Sequence, residues 1–434
     1  MSDAGGVGLT APHPVGTSDP CPPPAALRSR PASAVFGGAP AGMTRPLEAL
    51  LQHAFDAAVA SGDLPPGIRA TCALEDPAHP GFGDATCRAA MLVARRAGRP
   101  ALELAAAVVR HVDDPDGWLD AVDAAGPGFI NVRVSLAFLR TALAATLDVA
   151  DITVVPEQGA RGPGGAALRS PIIAPGGSPR SPRTTVTSAR AADALVGVRV
   201  GAVAAAIAAL RAAIGEQVAR VDESPAPPRT SDVGSRTVLV SADVRDGDVA
   251  RAKAAVAAAG GDPGALTVVP IGPVDIVRRG RRLGGEEALA VLAVDGARLA
   301  LLAAPADEAV VVDAAAFERA HIGAPIVAIR YALARIARLD AAAADAADLA
   351  PLDDGDRDCL RAIGTFVDVV ERAARRCEPE RVVAHARGVA ATFHRWYNRG
   401  RLDVGDARVR RARAALARGV ALVLERSLAI AGEG

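Results

Sequence analysis

The stretch PERVVAHARGVAATFHRWYNRGRL, Pro379–Leu402, decides the C-terminal third of the chain. Val382, Ala386, Ala390, Phe393 and Tyr397 recur within it at spacings of three and four, which predicts a helix with one apolar face. The next segment repeats the pattern with Val409, Ala412, Leu416, Val420, Val423 and Leu424. From Ala324 onward the pattern is almost wholly helical, so residues 324–434 read as an all-α helical bundle.

Upstream, the period changes. Thr237–Val240 is a buried-type strand, Asp248–Ala259 a helix and Leu266–Ile271 a strand, a βαβ unit of a parallel sheet. Thr184–Thr187 reads as a further strand, and about Val200–Val218 as a helix. Leu299–Ala303 and Ala309–Val312 read as another strand pair. Residues 184–323 thus form a reduced, Rossmann-like parallel α/β unit, interrupted by the Pro-rich Ser224–Arg229. Residues 151–183 hold many Gly, Pro, Ser and Arg residues and read as a linker. Further upstream, 44–150 reads as a small α+β domain. Its helices are placed from Pro46, at Ala85–Arg96, Leu102–His111 and Leu136–Leu147, and its strands within 67–76 and at Phe129–Val134. Residues 1–43, rich in Gly, Pro, Ala and Ser, read as a disordered tail. The fold class is multidomain, α+β and α/β with a terminal all-α bundle.

Composition narrows the function. With 434 residues the chain is long enough for two to four domains. No run of about 18 large apolar residues predicts a membrane span, and no signal peptide is evident, so a cytoplasmic location is the default expectation. The formal net charge is zero, yet 48 of the 49 basic residues are arginine, Lys253 being the only lysine. The five cysteines form no CxxC pair, so no zinc site or disulfide framework is indicated. From Arg375 to Arg426 there are 13 arginines against five acids, a local excess of +8 that favours a polyanion partner.

Three stretches resemble arginyl-tRNA synthetases of class I. GDATCRAAM (Gly83–Met91) and AGPGFINVRVS (Ala125–Ser135) are similar in order and spacing to that family's N-terminal tRNA-binding domain, with Cys87 where the family usually has Asn. VDIVRRGRRLGG (from Val274), VDGAR (Val294–Arg298) and YALARI (Tyr331–Ile336) fall in the family's order. Pro379–Leu402 resembles the core of the DALR-type anticodon-binding domain. The resemblance implies tRNA or a tRNA-like RNA as partner, with a full-length synthetase as a further candidate and neither DNA nor membrane.

The middle departs from that family. The HIGH-type motif, whose histidines stabilise charge on the ATP phosphates, corresponds to ALVGVRVGA (Ala194–Ala202). Leu195 and Val198 stand where the histidines belong, and no histidine occurs between His111 and His321. The KMSK lysines, suited to a triphosphate, are absent from RRGRRLGG (Arg278–Gly285), which reads as a surface hairpin, and Lys253 lies in an Ala-rich helix. Of an Asp-His pair only Asp243 remains. No catalytic residue, metal or cofactor is therefore expected; ATP enters only if the chain is a working ligase.

The candidate RNA contacts each carry two readings. Asp84, Phe129 and Asn131 are either ordinary turn and strand residues or a stacking face and hydrogen bonders for an unstacked base. Arg395, Trp396, Arg399, Arg401, Arg411 and Arg418 are either RNA contacts, with aromatics interleaved among arginines, or a solvated helix face; Phe393 and Tyr397 are expected in the core. Three functions follow: a non-catalytic, tRNA-binding paralogue, a functioning arginine–tRNA ligase, or a protein-interaction module without RNA affinity.

Overall fold

The computed structural model describes residues 42–75, 77, 79–148, 154–156, 166–168, 183–188, 193–214, 216–221, 236–242, 246–258, 262–318, 325–339, 348–402 and 404–433. The expected tail to residue 41, the break at Ser224–Arg229, and Asp243 lie outside these residues.

Helix α1 (Thr44–Ala60) buries Leu47, Leu50, Leu51 and Phe55, the spacing that its sequence predicts. Just before it, Met43 is already core, and its N–H donates to Asp368 at 2.9 Å. A four-stranded antiparallel sheet follows in the order β1 (Leu74–Glu75), β2 (Ala85–Cys87), β4 (Phe129–Val134), β3 (Leu119–Ala125). Helices α2 (Ala89–Ala97), α3 (Ala101–Arg110) and α4 (Leu136–Asp148) complete this α+β region.

Here one expectation is corrected. Ala85–Cys87 is not the first turn of a helix but a strand, because its backbone pairs with Val132, Asn131 and Ile130. Strand β3, Ala-rich and low in β-formers, carries no periodic signal in the sequence. Gly83 fixes the turn before β2: its φ is +100° and a Cβ there would sit 2.5 Å from the Val132 carbonyl oxygen.

Residues 154–156 and 166–168, read as linker, pair as strands β5 and β6. The middle region holds β7 (Arg183–Ser188), α5 (Ala194–Ala213), β8 (Gln217–Val221), β9 (Arg236–Ser241), α6 (Asp246–Ala258) and β10 (Leu266–Pro270). The sheet order is β10-β9-β7-β8 and every pair is parallel. The chain thus winds from β7 to one edge, then crosses to β9 on the other side, which creates a switch point at the carboxyl ends of β7 and β9. The helix expected at Val200–Val218 starts earlier, where Asp193 caps it, and ends at Ala213; Val218 is a strand residue beside Thr184.

Beyond it, β11 (Val274–Arg278) and β12 (Arg281–Arg282) form the expected hairpin, which leads into α7 (Gly285–Leu292). The strand expected at Leu299–Ala303 is instead helix α8 (Ala297–Leu301), and the true partner of β13 (Val310–Asp313) is β11. After α9 (Ala314–Glu318) the described chain is helical: α10 (Pro325–Ile336), α11 (Arg357–Gly364), α12 (Phe366–Arg376), α13 (Glu380–Asn398) and α14 (Ala407–Ala431). Val382, Ala386, Ala390 and Phe393 are fully enclosed, as their spacing predicts. One continuous apolar core joins the N-terminal region, α5 and the bundle. Helix α5 is long and apolar enough to cross a membrane, with mean hydropathy 1.8, but half of that stretch is buried inside the protein. It also carries the enclosed Arg199 and Arg211.

Candidate functional site

Two faces of the bundle sort the arginines. Asp356 is wholly enclosed and accepts from Trp396 Nε1 at 2.8 Å, from Arg413 Nε at 3.2 Å and from Arg401 Nε at 3.2 Å. Asp353 receives Arg413 Nη2 at 3.0 Å and also Arg401. Buried charge is tolerable only when paired in this way. Trp396 is therefore core rather than a stacking face, and Arg401 is tied into the network, so neither is presented to a ligand as the sequence reading allowed.

The outward face keeps Arg395, Arg399, Arg411 and Arg418, all exposed. Arg395 donates to Thr392 on its own helix. The rest of the arginine run divides: Arg408 pairs with Asp348 at 2.8 Å and Arg410 donates to the carbonyls of Val404 and Gly405. Beside Arg399 lies a feature the sequence reading missed. The Arg335 guanidinium sits between two rings, 4.4 Å from the Tyr331 centroid and 4.6 Å from that of Tyr397, and donates to Asn398 Oδ1 at 3.1 Å. Tyr331 is 44% exposed. Helices α10 and α13 are far apart in sequence, so only their packing reveals this stack. It places an exposed tyrosine ring and a guanidinium together, the combination that holds unstacked bases.

On the N-terminal sheet, Ile130, Val132 and Val134 of β4 face the core, and alternation puts Phe129, Asn131 and Arg133 on the other face. Phe129 and Asn131 are part-exposed there, apart from Asp84. Asp84 turns towards the bundle: Arg357 Nη2 meets it at 2.9 Å, and the Val134 N–H donates to it at 3.0 Å. With its side chain 8% exposed it joins two regions of the fold and does not face a ligand. Cys87 is enclosed too, accepting from the Ala89 N–H, so no polar contact is available at that position.

At the switch point, Asp193 occupies the start of α5. Its carboxylate accepts from the N–H groups of Leu195, at 2.8 Å, and Val196, at 3.1 Å. Free helix N-terminal N–H groups can bind phosphate; here the Asp193 cap engages two of them. Leu195 is half-buried, and Val198 lines an apolar cavity of about 460 Å³ between α5 and α7. Next to it Arg199 is fully enclosed and donates to the carbonyls of Leu301, Gly272, Pro305 and Glu308, stitching α5 to the loops of the β11–β13 sheet. Burial pushes its guanidinium below the usual value. Three of the four β11–β12 hairpin arginines are engaged as well: Arg278 and Arg281 with Glu287, Arg282 with Asp275. Lys253 is exposed on α6. Among the described residues, no group of three or more His, Cys, Asp or Glu side chains is placed to hold a metal ion.

Comparison with known proteins gives matches at both ends. Residues 47–134 match the arginyl tRNA synthetase N terminal domain, and 329–432 the DALR anticodon binding domain. Over 118 residues the chain is 36% identical to the arginine–tRNA ligase of Syntrophotalea carbinolica, covering 25% of this chain and 21% of that one. Matches to such curated relatives span about a quarter of their length or less. The fold resembles the crystal structure of arginyl-tRNA synthetase from Plasmodium falciparum, with TM-score 0.66 and 10% identity over 90% of this chain and 98% of that one. It also resembles the Thermus thermophilus enzyme, with TM-score 0.59 and 12% identity over 89% and 99% of the two chains.

Proposed function

We propose that this chain, a member of the arginyl-tRNA synthetase family, binds tRNA through its terminal regions and does not form arginyl-adenylate. The observation that carries the reading is a contrast between two sites. The bundle presents Arg395, Arg399, Arg411 and Arg418 outward and exposes Tyr331 of the Tyr331–Arg335–Tyr397 stack. The place where the family's histidines would meet ATP holds Leu195 and Val198 behind the Asp193 carboxylate.

RNA affinity on such a face comes from phosphate neutralisation by guanidinium groups and from base stacking, both independent of a working catalytic centre. Phe129 and Asn131 supply a second contact face on the N-terminal sheet. Adenylate formation, in contrast, needs groups that stabilise charge growing on the phosphates, and these are worth several kcal/mol each. The carboxylate at the helix start opposes that charge. The partner is tRNA or a tRNA-like RNA, the setting is the cytoplasm, and a complete synthetase is a second candidate partner.

Bulk tRNA titration by filter binding, run beside arginine-dependent ATP–pyrophosphate exchange, tests the reading. Saturable, salt-sensitive tRNA binding without exchange is expected. Exchange well above background would instead make the chain a ligase; absence of binding at low salt would make it a protein-interaction module.

A further inference from the structure

Where α1 and the β1–β2 edge meet the bundle, a polar cleft of about 570 Å³ opens, within the size range of small-molecule pockets. Six arginines line it: Arg45 on α1, Arg88 after β2, Arg372, Arg375 and Arg376 on α12, and Arg381 on α13. Four carboxylates line it too, Glu48, Glu75, Asp368 and Glu371, so the lining carries an excess of two positive charges, six minus four.

The carboxylates are already engaged within the fold. Glu371 receives Arg45 at 2.6 Å and Arg375 at 3.3 Å. Glu75 receives Arg88. Asp368 accepts the Met43 and Thr44 N–H groups at 2.9 and 3.0 Å, and Glu48 accepts the Leu74 N–H at 2.8 Å. Arg381 pairs with Glu378, which is not part of the lining. Arg376 stands exposed on the last turn of α12. A guanidinium offers a planar fork of N–H donors that matches phosphate oxygens two at a time, and it keeps donors to spare after one ion pair.

We propose that this cleft is an anion site that takes a compact phosphate-bearing ligand, of the size of a nucleoside di- or triphosphate. It is separate from the RNA face proposed above. Arg381 and Arg395 lie 14 residues apart on one helix, a rise of about 21 Å. The cleft is also built from the junction of two regions instead of one helix surface, which holds its guanidinium groups from several directions.

Inorganic tripolyphosphate is the probe, titrated calorimetrically at low salt into the full chain. One saturable site is expected. Arg376→Ala with Arg381→Ala, both partly or fully exposed and hence tolerant of substitution, weakens it at least tenfold, while Arg395→Ala with Arg399→Ala leaves it unchanged. Circular dichroism confirms folding, and a milder Arg376→Gln variant weakens binding less. Competition by tRNA assigns the phosphates to an RNA backbone; its absence assigns them to a free small molecule. No saturable binding of tripolyphosphate, or binding indifferent to the cleft substitutions, overturns the site. Because tRNA affinity is read on the same variants, loss at Arg395 and Arg399 alone concerns the RNA face and not this cleft.

Discussion

Arg357 on α11 and Asp84 on the turn before β2 form an ion pair of 2.9 Å, with both side chains at most a tenth exposed. The two residues are 273 positions apart, and the pair bolts the N-terminal region to the bundle. Removing Asp84 would leave the guanidinium of Arg357 enclosed without its main partner. Asp84→Ala is therefore expected to destabilise the protein by about 3–5 kcal/mol. The folded fraction should bind tRNA as the wild type does. Urea unfolding and a titration on refolded material check this; lost affinity with intact stability would return Asp84 to the RNA-contact set.

The same physics governs the bundle centre. Asp356 is fully enclosed and gathers Trp396, Arg401 and Arg413. Asp356→Ala leaves Arg413, itself 3% exposed, with Asp353 but without its enclosed carboxylate partner, removes the acceptor of Trp396 Nε1, and should cost about 3–5 kcal/mol. Replacing Arg411, exposed on the neighbouring turn, should change stability by less than about 0.5 kcal/mol. Comparable losses at both positions, read from denaturant midpoints, would show that the network carries no special weight.

These two pairs explain what the sequence could and could not reveal. Helical period exposed the inward faces of α13 and α14 because apolar spacing is a local property. Strand β3 escaped because Ala-rich strands lack a compositional mark. Asp84 and Trp396 read as RNA contacts in the sequence because a polar residue in a turn and an aromatic among arginines look alike whether buried or exposed. Only a partner hundreds of residues away, Arg357 in one case, or dozens, Asp356 in the other, decides between them. The family-like VDGAR stretch has the same character. Asp295 pairs with Arg330, and the Gly296 and Arg298 N–H groups donate to Glu433, so the motif docks the bundle and the chain's last described residues onto α8.

Restoring histidines at the start of α5 should not restore chemistry. Asp193 engages the Leu195 and Val196 N–H groups, three of the four hairpin arginines are paired with acids, and the sole lysine lies on α6. Leu195→His with Val198→His is expected to give no arginine-dependent pyrophosphate exchange, even with Asp193→Asn added. Exchange appearing in the double variant would show that the two side chains alone had been missing.

Asp368 predicts a pH dependence. Its burial, aided by Glu371, pushes the carboxyl up to about 6 despite the Met43 and Thr44 donors, against an ordinary 3.8. The folded protein then holds the proton more tightly than the unfolded chain does. Folding is penalised above pH 6 and the penalty is relieved as pH falls through 6 towards 3.8. A rise from 3.8 to about 6 corresponds to about 3 kcal/mol. Asp368→Asn removes this titration, so the wild type should gain stability relative to the variant between pH 8 and pH 5. Urea midpoints that keep a constant difference across that range would place the carboxyl at its ordinary value.

The RNA face yields the most direct test. Arg395 and Arg399 are four residues apart around the end of α13, so they lie on one side, and Arg411 and Arg418 add exposed charge on α14. Each phosphate neutralised contributes about 0.7–0.9 to the slope of log affinity against log salt. Arg395→Ala with Arg399→Ala should weaken tRNA binding and flatten that slope by about one to two units. Arg278→Ala with Arg279→Ala should matter less, since Arg278 already serves Glu287 on a hairpin in the middle region. Tyr331→Ala separates the two contributions. It removes an exposed ring but no charge, so affinity should fall by about 1–3 kcal/mol per lost stack while the slope stays as in the wild type. Filter binding at four or more salt concentrations measures both quantities. If the arginine pair lowers affinity without changing the slope, the two side chains act through the fold and not on phosphate.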